Sequence, residues 1–365
     1  MNQLTKVRLK NFKSIRKMEL PLTPLNVMIG ANGAGKSNFV GFFKMLEAIS
    51  TQRLEEYAGL QSSSPGFFFY GNRNYGIDCE LGLSLNGQPV TYGFVLKPNN
   101  EDQLVFVEER IVYEDKNYSL GSGHHESHLY TDSGNKIRNK LSRQIGDLIR
   151  QWQVFQFHET SQMRGTHYIH DNLVLLGNGA NLAPYLMVIK EKHPNHYRRI
   201  VRTIQLIMPY FRDFELEPLR LDSDRNRLDW REVASNARFS SVNFSDGSLR
   251  FAALATLLLQ PMEMMPSLVL IDEPELGLHP MAVRLLASMI KAVAVSTQVI
   301  LATQSKTLVD EFSPEDVVVL DRQMDDETGY FSSTFRRLDT AALEQWLHEY
   351  KLGDIWDKDL FGGRP

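Results

Sequence analysis

A glycine-rich run near the start of the chain constrains its fold more than any other feature. Residues 30–37 read Gly-Ala-Asn-Gly-Ala-Gly-Lys-Ser, which is the spacing of a phosphate-binding loop. The five residues before the run are apolar enough for a buried strand, and residues 38–49 have the spacing of an amphipathic helix. A strand, a glycine loop and a helix in this order predict an α/β fold with a nucleoside triphosphate at the helix N-terminus.

The residues of this loop have separate expected tasks. Lys36 is expected to reach the β- and γ-phosphates, and the hydroxyl of Ser37 is expected to bind Mg²⁺. The other residues of the loop and the first helical turn are expected to surround the phosphates with backbone N–H groups. These further cofactor-binding candidates are Asn32, Gly33, Ala34, Gly35 and Asn38.

A second motif supplies two carboxylates. Residues 267–271 form an apolar run that predicts a buried strand, and Asp272 and Glu273 follow it directly. Because successive side chains on a strand point to opposite faces, the two carboxylates cannot share one task. Asp272 suits the coordination shell of Mg²⁺, and Glu273 suits the general base that polarises the attacking water. The pair therefore predicts hydrolysis of the bound triphosphate.

A third motif, Asn-Phe-Ser-Asp-Gly-Ser-Leu-Arg at residues 243–250, precedes a helical run. Here the chain resembles the ABC-type ATPase heads of the RecF and structural-maintenance-of-chromosomes (SMC) group. In that group a signature motif, commonly Leu-Ser-Gly-Gly-Gln, lies shortly before the Asp-Glu strand. The resemblance implies that Ser245, Asp246 and Gly247 bind the γ-phosphate held by a second copy, with Asp246 in place of the first glycine. It thus implies an ATP-dependent homodimer or higher oligomer.

Other segments carry the same resemblance. Residues 275–280 resemble the loop along the dimer seam of these heads, and residues 11–14 resemble the Asn-Phe-basic-Ser run that opens RecF-like heads. Residues 299–305 resemble the next strand with its switch residue, often a histidine that senses the γ-phosphate. Gln304 stands at the switch position. Glutamine can hydrogen-bond a phosphate oxygen or a water but cannot carry a proton, so the rate of hydrolysis stays open.

A metal-coupling residue is expected where a strand leaves the core at residues 151–160. In ABC-type heads a glutamine at this place couples the metal and the water to the helical lobe. Gln156 is the candidate for this role, and His158 is the alternative.

The predicted architecture is a P-loop NTPase of the ABC-head type. Residues 77–113 alternate between polar and apolar positions and contain turn signals, which predicts an antiparallel β subdomain. The predicted domains are a discontinuous ATPase core with this subdomain at 1–158 and 240–340, a helical lobe at 159–239, and a C-terminal helix and tail at 341–365. The lobe includes two helices within residues 173–211. The chain has no sustained heptads, so no long coiled coil is expected.

Two groups of polar residues leave alternatives open. His124, His125 and His128 stand in a polar segment that either binds a metal or, as its composition favours, is solvated. Basic residues recur along the chain and either follow a nucleic-acid backbone or form a solvated or protein-docking face. These basic residues are Lys136, Arg138, Lys140, Arg143, Arg198, Arg199, Arg202, Arg220, Arg225, Arg227 and Arg231.

The composition fits a cytoplasmic protein. With one cysteine, Cys79, the chain cannot form a disulfide framework or a multi-cysteine metal site. The first residues lack the apolar stretch of a signal peptide, and no apolar run approaches the roughly 18 residues of a membrane span. We therefore expect no membrane partner.

The C-terminal sequence, which bears a tryptophan and finishes in Gly-Gly-Arg-Pro, resembles the ends of short ATPases of the AAA_21 class. This broad group, like the overcoming-lysogenization-defect ATPases, often occurs in anti-phage defence modules beside a separate effector such as a TOPRIM-like nuclease. The resemblance implies an ATPase with ATP and Mg²⁺ as cofactors that gates such an effector. A RecF-like DNA-binding repair ATPase and a non-hydrolysing scaffold stabilised by ATP stay open as alternatives.

Overall fold

The computed structural model describes residues 2–60, 64–235 and 237–363 of the chain. The described residues form two compact units, one from Met1–Gln153 with Ser313–Pro365 and the other from Val154–Phe312. The chain therefore leaves the first unit and later returns to it. The division into core, helical lobe and tail made from the sequence stays a prediction, and its last two residues lie outside the described ranges.

The elements follow in chain order. The strands are β1 (Gln3–Phe12), β2 (Ile15–Pro21), β3 (Leu25–Ile29), β4 (Ile77–Leu85), β5 (Gln88–Pro98), β6 (Leu104–Tyr113), β7 (Lys116–Gly121), β8 (Trp152–Phe155), β9 (Thr166–Tyr168), β10 (Phe211–Glu215), β11 (Arg225–Arg227), β12 (Asp229–Glu232), β13 (Arg238–Ser240), β14 (Leu268–Asp272), β15 (Gln298–Thr303), β16 (Val317–Met324) and β17 (Phe331–Arg337). The helices are α1 (Lys36–Ser50), α2 (Leu54–Leu60), α3 (Lys136–Arg150), α4 (Leu182–Lys192), α5 (Pro194–Ile207), α6 (Asp246–Leu259), α7 (Pro280–Ala294), α8 (Lys306–Val309), α9 (Thr340–Leu347) and α10 (Leu352–Asp357).

The first unit contains an antiparallel sheet in the order β2-β1-β4-β5-β6-β7. Along β4, buried and half-buried side chains alternate strictly, because one face of the strand packs on the core. The predicted antiparallel β subdomain is confirmed. In the same unit β3 runs parallel to β16, and β17 is antiparallel to β16.

Helix α1 follows β3 as the sequence predicts. Its aromatic residues Phe39, Phe42 and Phe43 are buried and share the spacing of one helix face. Phe42 packs edge-on against Phe12 of β1 at a ring distance of 5.8 Å. This packing fixes the start of α1, and with it the end of the phosphate-binding loop, on the core of the first unit.

The second unit contains the parallel pair β14 and β15, in which every residue is buried. Its helices α4 and α5 lie where the sequence predicts two helices. Within the described ranges no helix is longer than 15 residues, as expected for a chain without a long coiled coil. In the same ranges every helix is too short or too polar to span a lipid bilayer.

The His-rich segment of the first unit is packed rather than solvated, so the prediction of a solvated segment is wrong for His124 and His128. Their rings stack with centroids 3.7 Å apart. The buried carboxylate of Glu109 accepts hydrogen bonds from Tyr92 Oη, from Ser127 Oγ and from His128 N, and it pairs with His124 Nε2 at 2.9 Å. Burial alone would raise the pKa of Glu109, but these hydrogen bonds lower it below its ordinary value.

Residues 340–357 contain two helices, α9 and α10, where the sequence predicts one. Trp356 of α10 is fully buried, and its Nε1 donates to the carbonyl of Gly363 at 2.6 Å. The last described residues are therefore attached to the first unit.

Candidate nucleotide-binding site

The phosphate-binding loop lies in the first unit, between β3 and α1. Gly33 and Gly35 have φ values of 80° and 120°, a conformation that favours glycine. Lys36 is only 6% exposed, and its Nζ donates to the backbone carbonyls of Gly30 and Ala31. The loop thus curves around its own lysine.

The exposed residues of the loop are Asn32, Gly33 and Ser37, whereas Ala34 is buried. Asn38, the third residue of α1, uses its amide nitrogen to donate to Ser14 Oγ at 2.6 Å. Ser14 lies in the turn between β1 and β2. The side chain of Asn38 therefore links the first turn of α1 to the turn between β1 and β2.

Asp272 ends the buried strand β14 in the second unit and is 5% exposed. The amide nitrogen of Gln156 donates to Asp272 Oδ2 at 2.7 Å. His158 Nε2 instead lies 3.2 Å from the backbone carbonyl of Asp272. Of the two candidates, Gln156 is the one that contacts the carboxylate.

The backbone of Glu273, the residue directly after β14, is not in a strand conformation. Its φ of 46° lies in the left-handed region, which costs a non-glycine residue about 1–3 kcal/mol and occurs preferentially at functional sites. Its backbone N–H donates to the carbonyl of Ala302 at 2.7 Å. Its Oε1 accepts a hydrogen bond from Nε2 of Gln304. The structure therefore brings the predicted base and the predicted switch residue into direct contact.

Sequence reasoning did not single out Glu275, which lies beside this pair. Its Oε1 accepts from Thr303 Oγ1 at 2.6 Å and from the backbone N–H of Gln304 at 3.2 Å. Burial raises the pKa of the Glu275 carboxyl above its usual range, although these hydrogen bonds oppose the rise. Glu275 is thus a half-buried group that accepts hydrogen bonds from the end of β15.

The signature segment begins helix α6. Ser245 is the N-cap, and its Oγ accepts from Ser248 N at 3.1 Å. Asp246 accepts hydrogen bonds from Thr160 Oγ1 and from Arg164 Nη2, which together lower the pKa of its carboxyl. The residue that replaces the usual glycine therefore has partners within its own unit.

Gly247 leaves no room for a side chain. A Cβ at this position would lie 2.2 Å from the carbonyl oxygen of Gly277, in the loop after Glu273. Arg250, three residues later, donates to the carbonyls of Phe157 and His158 at 2.9 and 2.7 Å. Sequence reasoning gave Arg250 no role, yet it joins the signature helix to the segment that carries Gln156.

The candidate residues thus fall into two groups. The loop residues with Lys36 and Ser37 belong to the first unit. In the second unit, Gln156 contacts Asp272, and Gln304 contacts Glu273. Gly247 of the signature segment lies against Gly277, in the loop after Glu273. Among the described residues, no three His, Cys, Asp or Glu side chains are grouped as a metal cluster.

Comparisons with known proteins identify the family of the chain and its fold. A family model described as "AAA domain, putative AbiEii toxin, Type IV TA system" (AAA_21) matches residues 25–310, more than three quarters of the chain. Among curated proteins, the sequence comparison finds no relative.

Two solved structures have a similar fold. An SmcHead bound to the C-winged helix domain of ScpA is 17% identical, with a TM-score of 0.53, over 93% of this chain and 99% of that one. An Smc head domain with an extended coiled coil, bound to the C-terminal domain of ScpA derived from Pyrococcus furiosus, is 16% identical, with a TM-score of 0.54, over 96% and 99%. These matches confirm the predicted fold class. The chain therefore belongs to the AAA_21 family of AAA-type ATPases, and its fold is that of an SMC head domain.

Proposed function

We propose that the protein is a cytoplasmic ATPase that binds and hydrolyses ATP, dimerises around the nucleotide and gates a separate effector in an anti-phage defence system. The observation that carries this proposal is the pairing of Glu273 with Gln304 in the unit that also pairs Gln156 with Asp272. These are the positions at which an ABC-type head needs its base, switch, metal ligand and coupling residue.

ATP and Mg²⁺ are the proposed cofactors. Lys36 and the loop amides bind the phosphates, and Ser37, Asp272 and Gln156 are the proposed ligands of Mg²⁺. A hydroxyl, a carboxylate and an amide carbonyl are the hard oxygen donors that this ion prefers, and nucleotide sites typically supply only one or two carboxylates. When bound, Mg²⁺ neutralises charge on the phosphates.

In the proposed hydrolysis, Glu273 accepts a proton from the water whose oxygen attacks the γ-phosphorus, and ADP leaves. The hydrogen bond from Gln304 to Oε1 orients the carboxylate and leaves Oε2 to receive the proton. Gln304 itself cannot take up this proton. In this proposal its task is to orient Glu273 rather than to relay charge.

The exposed signature supports a second copy of the chain as the partner. Ser245, Asp246 and Gly277 are exposed within one copy, and the nearby apolar side chains of Leu276 and Met281 are 40% and 58% exposed. In the proposed dimer Ser245 and Gly247 of one copy close over the γ-phosphate held by the other. Asp246 faces Thr160 and Arg164, so its charge is balanced before the phosphate arrives.

Two comparisons support an effector protein as a further partner. The similar SmcHead is bound to a domain of ScpA, so a head of this fold can work with a separate protein. The family description names a type IV toxin–antitoxin system, which supports a defence role. A TOPRIM-like nuclease is the effector class that the C-terminal resemblance suggests.

The test is the dependence of the ATPase rate on protein concentration. For the wild type, the specific activity is expected to rise with concentration, because each site needs two copies. Ser245→Arg places a cation and a long side chain at the exposed N-cap, so its activity is expected to stay near zero at all concentrations.

Ser288→Arg, at an exposed position of α7, is the matched control and is expected to behave as the wild type. A Ser245→Arg variant whose activity rises like that of the wild type would contradict the shared site. Wild-type protein that binds ATP without releasing phosphate at any concentration would favour the scaffold alternative.

A second candidate, DNA binding, is favoured by one surface of the second unit. Arg198, Arg199 and Arg202 lie exposed on α5 and line a concavity of about 330 Å³. In the described parts of the chain, none of these three has a carboxylate within ion-pair distance. By contrast, Arg225, Arg227 and Arg231 pair with carboxylates of their own unit, and Arg138 is buried against the carbonyls of residues 119 and 120.

Arg198→Ala combined with Arg202→Ala is expected to weaken binding to duplex DNA and to lower the salt slope of log K by about 2, since each arginine releases about one counterion. The measurement is a fluorescence titration at several salt concentrations. Lys291→Ala with Lys306→Ala removes the same charge at two exposed lysines outside these basic groups and serves as the control. Equal slopes for the two double variants would contradict a role of α5 in DNA binding.

A further inference from the structure

The phosphate-binding loop contacts a part of the chain that lies beyond the family match. The match ends at residue 310, and the segment from Ser313 onward belongs to the same compact unit as the loop. We call the described part of this segment, residues 313–363, the C-terminal segment. It lies against two glycines of the phosphate-binding loop, Gly30 at its start and Gly35 near its end.

At the first end, Gly35 lies against Ser333 of β17. A Cβ at Gly35 would lie 2.4 Å from Ser333 Oγ and 3.4 Å from Ser14 Oγ. Gly35 also has the φ of 120° that other residues rarely adopt. The loop therefore approaches the serine closely, and only glycine fits at this point.

Ser333 is part of a buried hydroxyl cluster. Ser333 is fully buried, and its Oγ lies 2.6 Å from Ser14 Oγ. Its backbone N–H donates to the carbonyl of Ser14 at 2.8 Å, and Ser14 Oγ also accepts from Asn38 Nδ2. This cluster connects β17, the turn between β1 and β2, and the first turn of α1 around Gly35.

At the other end, Gly30 lies against β16 and the last described residues. A Cβ at Gly30 would lie 2.5 Å from the carbonyl oxygen of Leu320. A Cβ at Gly363 would lie 3.0 Å from the same oxygen and 3.8 Å from Gly30 Cα. The hydrogen bond from Trp356 Nε1 to the carbonyl of Gly363 holds this residue in place.

We propose that Ser333 and Gly363 are positioning residues for nucleotide binding, because they hold the two ends of the phosphate-binding loop in its binding conformation. The proposal rests on the proposed function, since it assumes that the loop binds ATP. A glycine-rich loop without such supports would lose much conformational freedom on binding, and this loss would weaken affinity. Supports already present in the free protein remove part of that cost.

The test at the Gly35 end uses the full chain and a fluorescent ATP analogue. Ser333→Ala is expected to weaken binding and to raise KM for ATP about tenfold, while kcat at saturating ATP stays within about twofold. Thr334→Ala is the matched control, since it also removes one hydroxyl of β17, which donates to the carbonyl of Asp321 within the β16–β17 hairpin. Urea unfolding without nucleotide is expected to give similar midpoints for both variants.

The test at the Gly30 end compares two neighbouring glycines. Gly362 and Gly363 have φ values of 77° and 71°, so alanine is similarly strained at either position. At Gly362 a Cβ would meet only Asp321 Oδ2 at an ordinary 3.5 Å, whereas at Gly363 it would lie 2.6 Å from Val319 Cγ1. Gly363→Ala is therefore expected to weaken ATP binding about fivefold more than Gly362→Ala does.

The outcomes separate this inference from the function on which it rests. Wild-type protein that does not bind the analogue overturns both. Wild-type protein that binds, together with Ser333→Ala and Gly363→Ala variants that match their controls in affinity, overturns the positioning role alone. Affinity lost in both variants and kept in both controls supports it.

Discussion

Glu273→Gln is expected to lower the rate of ATP hydrolysis by about 10²–10⁴-fold while ATP stays bound, because a carboxamide cannot accept the proton of the attacking water. The substitution changes little else. The carbonyl of the new side chain can still accept from Gln304 Nε2, and the left-handed backbone conformation is as accessible to glutamine as to glutamate. Phosphate release measures turnover, and light scattering with bound nucleotide measures the trapped dimer.

Glu275→Gln is the control for this experiment, since Glu275 is the other carboxylate beside Gln304. Glutamine has nearly the same shape as glutamate and keeps a side-chain oxygen that can accept the hydrogen bond from Thr303 Oγ1. We expect this variant to retain most of its turnover. Wild-type turnover in Glu273→Gln with loss in Glu275→Gln would assign the base to the second residue instead.

Lys36→Ala is expected to weaken ATP binding at least about 100-fold, because hydrogen bonds to charged groups contribute about 1.5–3 kcal/mol each and the lysine serves two phosphates. The variant also removes the donor to the carbonyls of Gly30 and Ala31 in the free loop. The free energy of unfolding is therefore expected to fall by about 1–3 kcal/mol as well. Calorimetric titration with ATP and Mg²⁺ measures the first effect, and urea unfolding measures the second.

Two further variants separate binding from stability. Lys36→Met keeps the apolar stem of the side chain and is expected to lose ATP binding with a smaller loss of stability. Lys44→Ala removes a charge from the same helix and is expected to leave the affinity unchanged. An Ala or Met variant at position 36 that binds ATP like the wild type would contradict the assignment of the phosphate-binding lysine.

The parts of the site that sequence predicts best are those whose residues are neighbours along the chain. The loop at residues 30–37 is followed by α1 at the expected place because strand, glycines and helix form one continuous motif. The antiparallel strands β4, β5 and β6 are visible for the same reason, since alternation and turn signals are local.

The parts that sequence could not settle depend on distant partners. Gln156 and His158 are two residues apart and share one side of an extended segment, so periodicity could not choose between them. The choice depends on the position of Asp272, more than 100 residues later. The error at His124 and His128 has the same origin, because the buried carboxylate that holds them, Glu109, lies on β6.

The return of the chain to its first unit has a consequence for synthesis. Residues 154–312 are continuous, so the second unit can fold as soon as it leaves the ribosome. Strand β3, however, pairs with β16, whose Val317 meets Val27, a residue made almost 300 positions earlier. Until β16 emerges, that side of β3 exposes unpaired backbone, which favours aggregation of nascent or truncated chains. The phosphate-binding loop, which directly follows β3, is therefore among the last parts of the protein to reach its final structure.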